Sequence, residues 1–311
     1  MSFLRHIAVV VFISLNMQVI GQQITQYSQW AFNHFAINPA LAGIKNCLDV
    51  RSGYRMQWAG FDGAPNSGLF TINAPLNKKQ KKYNSSFHGL GAKVEHDVFG
   101  NFNNFALSFA YALHFPLEKG KRLSFGLSAG FQQFGFDHTK ATTIDPDAAV
   151  AQSANMFLIP LIGAGGWYHT ENWFVGASID QLARNRWSDI GFTSRFQLHT
   201  MLTAGAKVGL ENNITLLPSM LMRIPPAGPA SLDLNLMVDF GNFFMTGLGY
   251  RNVDAVIAFF MFKMNKFTIG YSFDFITSNI QGGNFNTHEI SLSFNTCRTP
   301  NKDANACPLF E

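Results

Sequence analysis

The side chains best suited to acid–base work in this chain of 311 residues are nine histidines. His6 lies near the start; His88, His96, His114, His169, His199 and His288 are scattered, mostly beside turn residues. A hydrolase needs a nucleophile, a base and an orienting group that converge. No GxSxG or HExxH run supplies such a set, so no catalytic residue is assigned. Metal chemistry fares no better. Asp145-Pro146-Asp147 offers two carboxylates, where Ca2+ takes about six to eight oxygens, and Asp with Pro reads as a turn. Cys47, Cys297 and Cys307 show no zinc spacing. No cofactor is expected.

The charged residues are more informative by their parity. Asp49, Arg51, Arg55 and Gln57 fall on alternate positions of one stretch. Lys93, Glu95, Lys207, Asp233, Asp239, Asp274 and Glu289 also sit opposite apolar neighbours. Alternation of this kind belongs to β-strands, whose successive side chains point to opposite faces. The charges then line one common interior. Buried ions need partners, so the leading reading is a mutual ion-pair lattice that fills and stiffens that interior. A ring selecting a solute is the functional alternative.

The strands that carry them are many. In NKFTIGYSFDF, Phe267, Ile269, Tyr271, Phe273 and Phe275 oppose Thr268, Gly270, Ser272 and Asp274. Leu232, Leu234, Leu236, Val238 and Phe240 oppose Asp233, Asn235 and Asp239 in the same way. Ten-residue alternating segments bounded by turn residues predict an all-β fold, a transmembrane antiparallel β-barrel of about 14 strands. Stretches 155–168 and 254–264 are apolar on both parities and alternate poorly. Composition agrees with a barrel: only 14% of residues are charged and 14% aromatic, with 32 Phe, against about 25% charged in a soluble domain. Mean hydropathy is only +0.05, which argues against a helical membrane protein. A soluble β-sandwich also alternates, but sheets this large close or split. Net charge is +4 with one basic cluster, Lys78, Lys79, Lys81 and Lys82. That is a solvated turn rather than a nucleic-acid surface.

Arg5 and His6, the apolar run 7–15 and the small Gly21 form a secretory signal peptide. Cleavage is expected between Gly21 and Gln22. The chain therefore divides into 1–21 signal peptide, 22–46 plug or periplasmic cap, 47–297 barrel and 298–311 polar tail. Residues 22–46 do not alternate and are rich in aromatics, so they are expected to fold back into the lumen or across its periplasmic mouth. Export implies an oxidising compartment. Cys297 and Cys307 flank the tail and form a candidate disulfide, which leaves Cys47 odd; the pairing itself is not decidable from sequence. Long connections run 136–154, 183–195 and 277–286; tight turns fall at 118–121, 169–172, 211–213, 241–242 and 265. Short periplasmic turns and longer outer loops alternate in this way in outer-membrane barrels.

Five blocks in order resemble one family. They are QYSQWAFNHFAINPALAG (26–43), YRMQWAGFDGAPNSGLFTINAPL (54–76), GWYHTENWFVGASIDQL (166–182), GLGYRNVDAVIAFFMFKMNKFTIGYSFDF (247–275) and HEISLSF (288–294). Together they look like the PorP/SprF family of type IX secretion and gliding outer-membrane proteins. The motif positions are Asn38, Pro39, Ala40 and Gly43, then Trp58, Gly60, Gly63, Ala64 and Pro65. The region 114–155 and the tail after Phe294 match less clearly. The resemblance implies a non-enzymatic barrel in the outer membrane of a Gram-negative bacterium. Its implied partners are type IX secretion components, a large adhesin with a C-terminal secretion signal and a periplasmic peptidoglycan-associated protein, beside outer-membrane lipid. Scaffolding is the expected mode, with Trp58, Phe61 and Trp187 as a candidate partner surface, since aromatics dominate hot spots. The alternative is a plugged transporter for apolar small molecules, which requires a continuous greasy path into the lumen. A barrel enzyme is the third reading.

Overall fold

The structure is a computed structural model that describes residues 25–45, 47–76, 85–118, 120–137, 156–183, 198–211, 213–226, 228–241, 243–252, 254–277 and 286–297. Its strands are β1 (Asp49–Met56), β2 (Asn66–Pro75), β3 (Phe87–Phe99), β4 (Phe102–Glu118), β5 (Lys121–Phe136), β6 (Met156–His169) and β7 (Trp173–Asp180). They continue as β8 (His199–Ala206), β9 (Thr215–Ile224), β10 (Ser231–Asp239), β11 (Phe244–Arg251), β12 (Ala255–Met264), β13 (Phe267–Ile276) and β14 (Thr287–Asn295). A two-residue piece, Val208–Gly209, resumes β8 beyond Lys207 and pairs with β9. Each strand pairs antiparallel with its neighbours, and β1 pairs with β14. The sheet therefore closes into a 14-stranded barrel. Closure leaves no edge, the condition for strands to cross a bilayer.

Alternation sets the two faces. In β13, Phe267, Ile269, Tyr271 and Phe275 are exposed while Gly270, Ser272 and Asp274 are buried. The outer surface is a belt of large apolar side chains such as Phe109, Leu127, Leu158 and Leu248. A one-residue slip would send every inward carboxylate into lipid, so the register is strongly specified. Strands β3 to β6 have 13, 17, 16 and 14 residues. A tilted strand crosses the hydrocarbon in about 9–11, so this side of the wall projects beyond the bilayer.

All connections from odd to even strands leave one end of the barrel, including 137–155, 181–198 and 277–286. This is the long-loop end. The opposite, short-turn end carries the tight turns after β4, β6, β10 and β12. At Asn265, φ is +51° in the two-residue link from β12 to β13. Asn tolerates that left-handed conformation better than most side chains.

The first strand stops at Met56, because Trp58 (φ +51°) and Gly60 (φ +97°) turn the chain. The eighth strand is interrupted at Lys207.

The cysteine expectation needs correction. Cys47 is bonded to Cys297, with Cα atoms 5.0 Å apart. Cys297 is thus not joined to Cys307, which lies outside the described residues. The cause is closure itself: β1 and β14 pair with Asp49 opposite Asn295. Two residues beyond each strand end, Cys47 and Cys297 come side by side. Thr296 N donates to Leu48 O at 3.0 Å between them.

Candidate functional site

Residues 28–41 form three short 3-10 turns, Ser28–Phe32, His34–Ala36 and Pro39–Leu41. Local chemistry favours the last one. Asn38 caps it by accepting from Ala40 N at 3.0 Å, and Pro39 occupies the first turn, where a missing N–H costs nothing. Gly43 then adopts φ +67°. These turns lie against inward-facing side chains of the barrel, and Trp30, His34, Asn38, Ala40, Leu41 and Ala42 are buried.

Near the long-loop end the segment meets a charged lattice. Arg55 Nη2 lies 2.9 Å from Asp274 and its Nη1 3.2 Å from Glu289. Arg55 Nη1 also donates to Ser28 Oγ at 2.7 Å, and Ser28 Oγ donates to Asp274 at 2.5 Å. The backbone N–H groups of Ser28 and Gln29 both donate to Glu289, at 2.7 and 3.1 Å. Asp233 binds Arg223 at 2.8 Å and Arg251 at 3.0 Å. Arg251 reaches Asp274 at 3.8 Å. Three guanidinium groups thus face three carboxylates, and the segment adds its own donors to Asp274 and Glu289. Further round the wall, Lys93 pairs with Glu95, Lys263 with Asp239, and Asp49 with both Lys45 and Arg51.

Midway, Asn33 donates to Thr71 Oγ1 at 3.0 Å and Lys93 Nζ to Ala36 O at 3.1 Å. Ser178 Oγ donates to Ile37 O at 2.6 Å. Asn38 Nδ2 donates to Gly166 O and Ala177 O, both at 3.1 Å. Apolar contacts fill the gaps. Phe32 meets Phe259 edge-on at 6.1 Å, within a cluster that includes Ile257 and Met261. His34 meets Trp167 and Phe174 edge-on at 5.5 and 5.2 Å. At the short-turn end His114 Nε2 donates to Ala42 O at 2.9 Å, and Gly43 N donates to Asn73 at 3.1 Å.

The wall makes room for this segment with glycine. A Cβ on Gly89 would strike the Ala42 carbonyl, and one on Gly126 the Pro39–Ala40 backbone. On Gly91 it would meet the Phe35 ring, and on Gly165 the Asn38 side chain. These four inward glycines trace where the turns pass.

The family model described as type IX secretion system membrane protein PorP/SprF matches residues 19–294. The chain belongs to the PorP/SprF family. Among curated proteins nothing matches this sequence. Among solved structures, Salmonella typhi OmpF in complex with daunomycin is 9% identical with a TM-score of 0.37. That alignment covers 80% of this chain and 96% of that one. The beta domain of the Bordetella autotransporter BrkA is 11% identical, TM-score 0.36, covering 80% and 98%. CdiB from Acinetobacter baumannii is 10% identical, TM-score 0.43, covering 81% and 60%. At these scores the likenesses carry no weight here; the barrel rests on the chain's own closed register.

PorP/SprF membership makes this a type IX secretion membrane protein with an outer-membrane barrel fold. In this PorP/SprF barrel the motif residues separate into two places. Asn38, Pro39, Ala40 and Gly43 lie inside, against the glycine path. Trp58, Gly60, Gly63, Ala64 and Pro65 form the β1–β2 connection at the long-loop end. That connection is tied down: Trp58 N donates to Thr287 Oγ1 at 3.2 Å, and Gly100 N to Gly63 O at 2.8 Å. Phe61 stands out from it, 56% exposed. Gly21, Gln22 and Trp187 lie outside the described residues.

Ser28, Gln29, Asn33 and the four glycines were not singled out from the sequence. The signal existed in part, as glycine recurring on an inward parity where a wet lumen would carry polar side chains. The two-sided apolar stretches had the same origin. The inner faces of β6 and β12 touch the segment through Trp167 and Phe259 rather than water.

Proposed function

We propose that this barrel is a scaffold of the type IX secretion and gliding apparatus, exported by a signal peptide cleaved between Gly21 and Gln22. In this reading it supports secretion or surface attachment of a large adhesin bearing a C-terminal secretion signal. It binds type IX components and a peptidoglycan-associated periplasmic protein, and it has no enzymatic role. The carrying observation is the lumen: residues 28–43 are hydrogen-bonded to the wall from the charged lattice to Asn73. In this reading a segment bound along that length acts as a plug against a folded or extended cargo. The barrel's work then falls to its rims and outer surface. Trp58 and Phe61, at the long-loop end, are proposed contact residues together with Trp187; that end faces outward by the ordinary asymmetry of loop lengths.

Gene deletion followed by mass spectrometry of medium and cell surface tests the reading. Loss of one large adhesin marks a dedicated scaffold, and loss of all type IX cargo a core translocon part. Secretion unchanged for every cargo rules the reading out and favours the plugged transporter of apolar small molecules.

A further inference from the structure

Four arginines are buried among the described residues: Arg55, Arg122, Arg223 and Arg251. Three of them meet carboxylates, as the lattice above requires. Arg122 does not. It is 3% exposed, pairs with no carboxylate among the described residues, and its Nε and Nη1 meet no acceptor. Its guanidinium carbon sits 4.5 Å from the centre of the Phe87 ring. The ring face attracts a cation but offers no oxygen.

A second buried group stands beside it. His169 is the ladder partner of Arg122 between β5 and β6, so their Cα atoms are about 4.5–5.5 Å apart. Its Nδ1 is buried without a hydrogen-bond partner. The next histidine round the wall is already engaged. His114 Nε2 donates to Ala42 O, which leaves Nδ1 to accept from Ser124 Oγ at 2.7 Å. His114 also stacks on Phe87, with centroids 4.3 Å apart. Phe87 is thereby held as a fixed floor for the guanidinium.

An ion in low dielectric without a counter-charge is strongly unfavourable, and the other three buried arginines each meet a carboxylate. We propose that Arg122 and His169 form an oxyanion site just inside the short-turn mouth, suited to a phosphate group. The guanidinium supplies permanent charge and planar donors that match phosphate geometry. Nδ1–H of His169 supplies a further donor. Arg122 lies one residue inside the start of β5, close to the turn where the wall ends. Free phosphate and a phosphate-bearing headgroup present the same chemistry to it.

The test is binding of radiolabelled orthophosphate to the purified full-length barrel in detergent free of phospholipid. Thermal unfolding is followed in phosphate and in chloride of matched ionic strength. Wild type is expected to bind saturably and to unfold at higher temperature in phosphate, by mass action on the folded state. Arg122→Met is expected to lose that response and to be the more stable protein in chloride. His169→Phe is expected to bind about tenfold more weakly. Displacement of the label by a short-chain phosphatidylglycerol points to a headgroup as the natural source, and its failure to displace points to free phosphate. No saturable binding by wild type, or an equal response from Arg122→Met, overturns the site. Should Arg122→Met not assemble, Arg122→Lys keeps the charge without the planar donors. Undiminished affinity in that variant overturns the site equally.

Discussion

Arg55 Nη1 donates to Ser28 Oγ at 2.7 Å, joining the first barrel strand to the start of the inner segment. The same guanidinium neutralises Asp274 and Glu289. Removing it leaves Glu289 without its cation and Asp274 with only the more distant Arg251, at 3.8 Å. Breaking a buried pair in this way costs about 3–5 kcal/mol. Arg55→Met should therefore lower the midpoint of urea unfolding in detergent markedly. Exchanging Asp274→Asn in the same chain should restore part of the loss. If the single variant unfolds like wild type, the lattice does not hold the segment.

The segment should be both protected and occluding. Limited proteolysis of the purified barrel is expected to spare residues 25–45 until denaturation. In planar bilayers the wild type should show no conductance steps, and a chain lacking residues 25–45 should show them. Gly126→Val is the local version, because its side chain would strike the Pro39–Ala40 backbone and displace it. Rapid loss of residues 25–45 from the native barrel would exclude a plug.

The disulfide makes a prediction that separates the cysteines. Cys47→Ser should abolish the reduction-dependent gel shift of the monomer, and Cys307→Ser should leave it intact. The bond closes a loop of sequence separation 250, and losing a native disulfide costs about 2–5 kcal/mol. Urea unfolding of Cys47→Ser against wild type measures that cost. A shift that depends on Cys307 instead would restore the tail pairing.

The direction of the segment predicts where its start emerges. Tyr27 Oη donates to Gly68 O at 3.2 Å, close to the long-loop end of β2, whereas Gly43 meets Asn73 near the other end. The chain thus runs down the lumen toward β1. In a Cys307→Ser background, Thr25→Cys should react with an impermeant maleimide on intact cells as Phe61→Cys does. Lys266→Cys, at a short turn, should react only after the outer membrane is permeabilised. Labelling of Thr25→Cys together with Lys266→Cys would reverse the threading.

The barrel was legible in the sequence because strand periodicity is a local property. Phe267 to Phe275 and Asp274 declare their faces by parity alone, and low charge with high aromatic content names lipid as the outer solvent. The inward charges were legible for the same reason, and so was the alternation of long and short connections. Which residues meet across the interior was not decided at that level. Ser28 meets Glu289 across 261 residues, and nothing in the neighbourhood of either announces the other. Ile257 and Phe259 broke the alternation because their inner face packs against Phe32, a partner that the local pattern does not name. The cysteines show the same limit. Cys297 and Cys307 are near in sequence, yet Cys47 is the partner, because closing the sheet sets Asp49 opposite Asn295. Local pattern determined which side of each strand faces lipid; only closure of the barrel brought together the residues that meet inside it.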